Sequence, residues 1–196
     1  MEGPLIVPTF ATGSVCSLFT VPDGHRSAVV ANSVIAQCVA AVLGGVWALP
    51  CVTLEDGRPV AGAMHFACQF HFPAVSFHGR IATRIAAHLL AHAVGFNCPH
   101  LAGRSMVRHV VGVRVRALLV VVHSTNAAMS AREHHDCDDI DGMELQDGDG
   151  DGRTLESHWS RRHASDEWIA PIGGAGDCTE LTLAASAYLG CFIVNW

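Results

Sequence analysis

The chain has 196 residues, long enough for one domain with a full core and short for two ordinary ones. Half of it is apolar and 15% is charged, which excludes a mainly disordered chain. The net charge is −6, from 12 basic residues, all Arg, against 18 acidic ones, so nothing in the balance draws the chain to nucleic acid or an anionic membrane. Ten of the acids lie between Glu133 and Glu156 beside a single Arg, so one segment makes the protein acidic.

In chain order, Val15 to Val21 reads as a short strand closed by the turn Pro22-Asp23-Gly24. Ala28 to Leu49 is a run of 22 residues without a charge, long enough to span a bilayer. Asn32, Ser33 and Gln37 would share an arc of about 140° on a helix, and Pro50 ends the run, so a buried amphipathic helix is expected there and no membrane span. Ile81 to Val94 reads as a helix, with Ile81, Ile85, Leu89 and Ala93 at repeats of four. Val107 to Val122 is Val-rich and alternates around Arg114 and Arg116, as a hairpin with one solvated face does. Residues 133–156 read as an acidic surface loop, and Leu181–Ala185 and Cys191–Val194 as further strands. The sum is a single domain over residues 1–196, of α+β class.

Eight cysteines are spread without a CxxC pair, and no secretory leader pattern opens the sequence. The expectation is free, mostly buried thiols and an intracellular, reducing location.

Three constellations bear chemistry. Asp147, Asp149 and Asp151 alternate with glycines, with Gly152 at the sixth position, a spacing that lets hard oxygen ligands converge on Ca²⁺; His158 stands where the bidentate Glu belongs, so a solvated acidic loop is the competing reading. His88 and His92 are four apart on the expected helix, so both rings can face one ion, but Leu, Leu and Ala lie between them and the Glu of the catalytic HExxH motif is missing. Cys68 and His71, with Cys98 and His100, offer four further zinc donors at a spacing that fits no strong pattern.

Leu18-Phe-Thr-Val-Pro-Asp23-Gly24-His25 is similar to the "FxVxDGHGG" strand and turn of the metal-dependent protein phosphatase 2C family, where an Asp carboxylate and a Gly carbonyl serve a two-metal centre. Other segments resemble that family in order. Met1-Glu2-Gly3 is similar to its "MED", and Leu101–Ser105 with Arg116–Val122 to its "AGSTA…RLLVANVGDSR" hairpin. Arg132–Asp139 resembles "DHKPDD", Ser160-Arg161 with Asp166 resembles "SRAFGD", and Thr179–Phe192 resembles "DEFLILASDGLWDV". Gly3 and Ala187-Tyr188 stand where the family carries metal-binding groups, and Ser124-Thr125-Asn126 where its hairpin carries GDS.

The resemblance implies an α+β fold of antiparallel β-sandwich flanked by helices, incomplete at its end. It implies a Mg²⁺ or Mn²⁺ site reduced to Asp23 and Gly24 with Glu2. Two closely spaced divalent ions need several carboxylates to neutralise them, so the implied protein is a pseudophosphatase that acts by binding a phosphoprotein, a kinase or a phosphatase. An active Mg²⁺/Mn²⁺-dependent Ser/Thr phosphatase and a non-enzymatic Ca²⁺-binding structural protein are the alternatives.

Overall fold

The structure, a computed structural model, describes residues 6–7, 9–16, 19–21, 29–30, 38–41, 46–67, 76–111, 119–146, 157–171 and 176–189. Two compact units divide the chain, Met1–Gly95 and Phe96–Trp196.

The first unit carries β1 (Ile6–Val7), β2 (Val15–Cys16), β3 (Phe19–Thr20), β4 (Val29–Val30), β5 (Cys38–Ala41), β6 (Trp47–Thr53), β7 (Pro59–Ala67) and helix α1 (Ser76–Ala93). β1 pairs with β4 and β2 with β3, both antiparallel, while β7 is the middle strand of a three-stranded sheet, parallel to β5 and antiparallel to β6. The β6–β7 hairpin turns at Glu55-Asp56-Gly57. The Asp56 carboxylate accepts from the Arg58 N–H at 2.9 Å, and Gly57 takes the positive φ of +80° that the turn needs. Pro50 sits opposite Gly62 next to a register shift, because a proline has no N–H for the ladder. Fully buried Val60 gathers Phe10, Val52 and Leu54 around it.

The uncharged run from Ala28 to Leu49 is not a helix where it is described. It contributes β4, β5 and the start of β6. Short apolar runs satisfy a doubly buried strand as well as a buried helix, and the strands gain ladder hydrogen bonds with β1 and β7. Among the described residues no helix is long and apolar enough to cross a membrane. The strand expected over Val15–Val21 is a two-strand ribbon, β2 and β3. Cys16 and Cys51 form a disulfide that ties β2 to β6, with Cα atoms 5.2 Å apart, so the expectation of free thiols fails at this pair. Cys98, Cys137 and Cys178 form no disulfide.

Helix α1 packs on β6 and β7 through Ile85, Leu89 and Ala93, each 1% exposed or less. A Cβ on Gly62 of β7 would lie 2.8 Å from the Ala93 Cβ, so the close seating of the helix end depends on that glycine. Gly62→Ala is expected to destabilise the protein by about 1–3 kcal/mol through overpacking, read as a lowered midpoint in urea at unchanged slope.

The second unit carries α2 (Cys98–Gly103), β8 (Val107–Val110), β9 (Leu119–Val122), α3 (Thr125–His135), β10 (Met143–Glu144), α4 (Arg161–Ala164) and α5 (Glu180–Tyr188). β8 and β9 form the expected antiparallel hairpin and β10 adds to the other side of β9. Residues 157–160 run antiparallel beside β10 and its extension: Leu145 bridges Trp159, and the Ser160 N–H donates to the Glu144 carbonyl at 2.9 Å. Side-chain oxygens of Asn97, Ser124 and Thr179 cap α2, α3 and α5 by accepting backbone N–H groups.

Two expectations change here. Leu181–Ala185 lies in helix α5, not a strand, because Thr179 caps it and Leu181, Ala184 and Ala185 bury one helical face. The acidic segment is not one surface loop either. It begins inside α3, and Met143, Leu145 and Gln146 are buried in β10 and its extension. The core of this unit is Leu101, Met106, Val122, Ala127, Met143, Leu145, Trp159, Ile169 and Leu181.

Candidate metal centre

Residues four apart on a helix lie one above the other, and α1 uses that spacing to stack two imidazoles. His88 is 3% exposed and His92 7%. Their Nε2 atoms are 3.1 Å apart and their rings meet edge to face at 83°, with centroids 4.7 Å apart. In a tetrahedral zinc site with Zn–N bonds of about 2.0–2.1 Å, neighbouring ligand nitrogens stand about 3.3–3.4 Å apart, close to the observed pair. Leu89, which follows His88, is 1% exposed and belongs to the apolar face of the same helix. The helix stops at Ala93, and Gly95 turns the chain with φ +114° while its N–H donates to the His92 carbonyl at 3.1 Å.

His158 is likewise buried, at 7% exposure. Its Nδ1 lies 3.1 Å from Oε1 of Gln146, which is 2% exposed. The following residue, Trp159, is fully buried. Its indole N–H donates to the Thr182 hydroxyl at 2.9 Å, and its ring meets Phe96 edge to face at a centroid distance of 5.0 Å. Thr182 and Thr179 in turn donate their hydroxyls to the buried Glu167 carboxylate, which also accepts the Thr179 N–H at 3.3 Å. Burial first, and then the Glu167 charge, raises the pKa of the neighbouring Cys178 thiol. The segment bearing His158 is thereby pinned on both sides, by the β10 ladder and by this network.

His88 and His92 belong to the first unit and His158 to the second, and each is a buried imidazole. Imidazole nitrogens are borderline donors that suit Zn²⁺ and neighbouring transition metals. Mg²⁺ and Ca²⁺ take oxygen ligands, so the donor set fits the former and gives no support to the Mg²⁺, Mn²⁺ or Ca²⁺ expected from the sequence. Glu2, Asp23, Gly24, Asp147, Asp149 and Asp151 all lie outside the described residues, as do Cys68 and His71. Of the other zinc candidates, Cys98 is half-buried and outside any disulfide. His100 has its pKa lowered by burial and then by Arg104.

A helix presenting two buried histidines at HxxxH spacing is the helical part of the ligand arrangement of metallopeptidase-type domains. The leishmanolysin family model (Peptidase M8) matches residues 2–196, and the chain belongs to that family. It is 34% identical to a leishmanolysin of Leishmania major over 192 residues, which cover 94% of this chain and 31% of that protein. A leishmanolysin homolog of Crithidia fasciculata is 33% identical over 191 residues, covering 93% of this chain and 28% of its own. The chain therefore spans about 30% of the length of the relatives it matches.

This membership overturns the phosphatase 2C resemblance, and with it the pseudophosphatase and phosphatase readings. The segments that carried the resemblance are short and generic. Thr179–Phe192 contains α5, Arg132–His135 is the last turn of α3, and Leu101–Gly103 lies in α2. Collinear order among such pieces is weak support, because polar turns and apolar runs recur at similar intervals in any α+β chain. The stronger signal was His88-x-x-x-His92-x-x-Gly95, the spacing of the HExxHxxG motif with its Glu changed.

Proposed function

We propose that this chain is a zinc-binding domain of the leishmanolysin family that holds its metal through His88 and His92 and binds polypeptide with little or no hydrolysis. The observation that carries the reading is the pair of buried imidazoles on α1, with Nε2 atoms 3.1 Å apart. Uncharged imidazoles leave the ion its full charge, and when bound such an ion supplies Lewis acidity toward a peptide carbonyl. Turnover also requires a base to take a proton from the attacking water. The position after the first histidine, where the HExxH motif carries that base, is Leu89, an aliphatic side chain 1% exposed that can neither accept nor deliver a proton. Metal retention and peptide cleavage are therefore uncoupled in this sequence. The Cys16–Cys51 disulfide favours an oxidising compartment over the reducing one expected from the cysteine spacing.

The purified chain is expected to carry about one equivalent of zinc by mass spectrometry of the metal, with His88→Ala and His92→Ala each losing most of it. A metal-free wild-type chain that takes up no zinc on dialysis against it would refute the reading.

A further inference from the structure

We propose that a cavity in the second unit, on one face of the β8–β9–β10 sheet, binds a primary ammonium group carried on a short aliphatic chain. Every residue that lines it lies between Val110 and His163, so the proposal goes beyond the zinc reading and stands without it. Register builds the floor. Val121 of β9 pairs with Arg108 on one side and Glu144 on the other, and Val110 pairs with Leu119. Residues opposite one another, or two apart along a strand, project from the same face, so Val110, Leu119, Val121 and Glu144 meet there. The cavity above them measures about 250 Å³, below the roughly 300–1,000 Å³ of drug-sized sites, which suits one short chain.

The walls choose the charge. His135 from the end of α3, His163 from α4 and the loop carrying Asp139 and Asp141 close the remaining sides. The lining holds three carboxylates and no arginine. Arg108, on the floor's face of β8, pairs with Asp141, and His163 Nε2 meets Glu144 at 3.2 Å. The Nε2 atom of His135 is buried and has no hydrogen-bond partner. Burial first, then His134 and His163, lower the pKa of His135, so its ring is held uncharged and offers a lone pair instead of a further positive charge. An ammonium is a compact cation with three donors and no acceptor, which matches carboxylates and a neutral ring nitrogen, whereas an anion would be repelled. Its methylenes cover the valine and leucine floor. The rim is set before a ligand arrives. The Arg132 Nε–H donates to the Ile140 carbonyl at 2.9 Å, and Gly142, at φ +147°, approaches the Val122 carbonyl so closely that no Cβ would fit.

The test titrates the full chain with n-butylammonium, with its uncharged counterpart 1-butanol and with N-acetyl-lysine N-methylamide, following the methyl resonances of Val110, Leu119 and Val121. Wild type, Glu144→Gln and Asp139→Asn are compared, and melting curves establish that each variant is folded. The amine is expected to shift those methyls saturably and the alcohol to leave them in place. Glu144→Gln keeps the shape and removes the charge, and is expected to weaken amine binding about 10–100-fold, the worth of a hydrogen bond to a charged group. If that variant fails to fold, Asp139→Asn decides. Asp139 is exposed, so its expected loss is smaller, about 2–5-fold. Tighter binding of the capped lysine than of butylammonium assigns the cavity to a peptide side chain and the reverse to a free amine, and either supports the proposal. Equal response to amine and alcohol, unchanged affinity in a folded Glu144→Gln, or no saturable response in wild type overturns it. The zinc content of the same wild-type sample is measured alongside, so failure of one reading is seen apart from failure of the other.

Discussion

Replacing Leu89 by Glu is expected to raise peptide hydrolysis by the zinc-loaded chain about 10²–10⁴-fold, the range that a positioned general base contributes. The substitution rebuilds His-Glu-x-x-His on a helix whose two histidines already lie 3.1 Å apart through their Nε2 atoms. It therefore adds the missing proton acceptor without moving a ligand. Leu89→Gln is the control, with the same size and polarity change and no base, and it is expected to stay at the wild-type rate. Leu89 is 1% exposed, so both variants lose apolar burial, and their melting curves must be matched before rates are compared. A fluorogenic peptide assay across Leu89, Leu89→Glu and Leu89→Gln reads the result. Equal rates in all three would show that the base position is not what limits this chain, and a fast wild type would show that another group supplies the proton transfer.

The elements that could be read from sequence are those with a local cause. The α1 helix follows from Ile85, Leu89 and Ala93 at repeats of four, and the β8–β9 hairpin from a Val-rich alternating stretch. The 28–49 run misled because lack of charge reports burial, and burial alone does not separate helix from strand. α5 was missed because Leu-Thr-Leu-Ala-Ala fits a strand on composition, and the deciding group is the Thr179 cap just before it. The histidines divide in the same way. His88 and His92 belong to one helix and were legible as a pair, whereas His158 and Gln146 are paired only through the β10 ladder, which no sequence periodicity announces. Carboxylates in Gly-rich turns give a louder sequence signal, although their residue types are common in any solvated loop.

Zinc is expected to raise the melting temperature of the chain by about 8–16 °C when free metal exceeds its dissociation constant a thousandfold. A ligand that binds only the native state stabilises it by about 4 kcal/mol at that excess, and a chain of this length shifts about 2–4 °C per kcal/mol. The effect follows from where the ligands sit. Both are on α1, and only the folded helix stacks the two rings toward one ion. A chelator is expected to reverse the shift, and Mg²⁺ or Ca²⁺ at the same excess to produce none, since an all-nitrogen donor set does not suit hard cations. His88→Ala and His92→Ala are each expected to remove most of the zinc response. Absence of the shift in the wild-type chain would mean that the buried imidazoles are core residues bonded to one another.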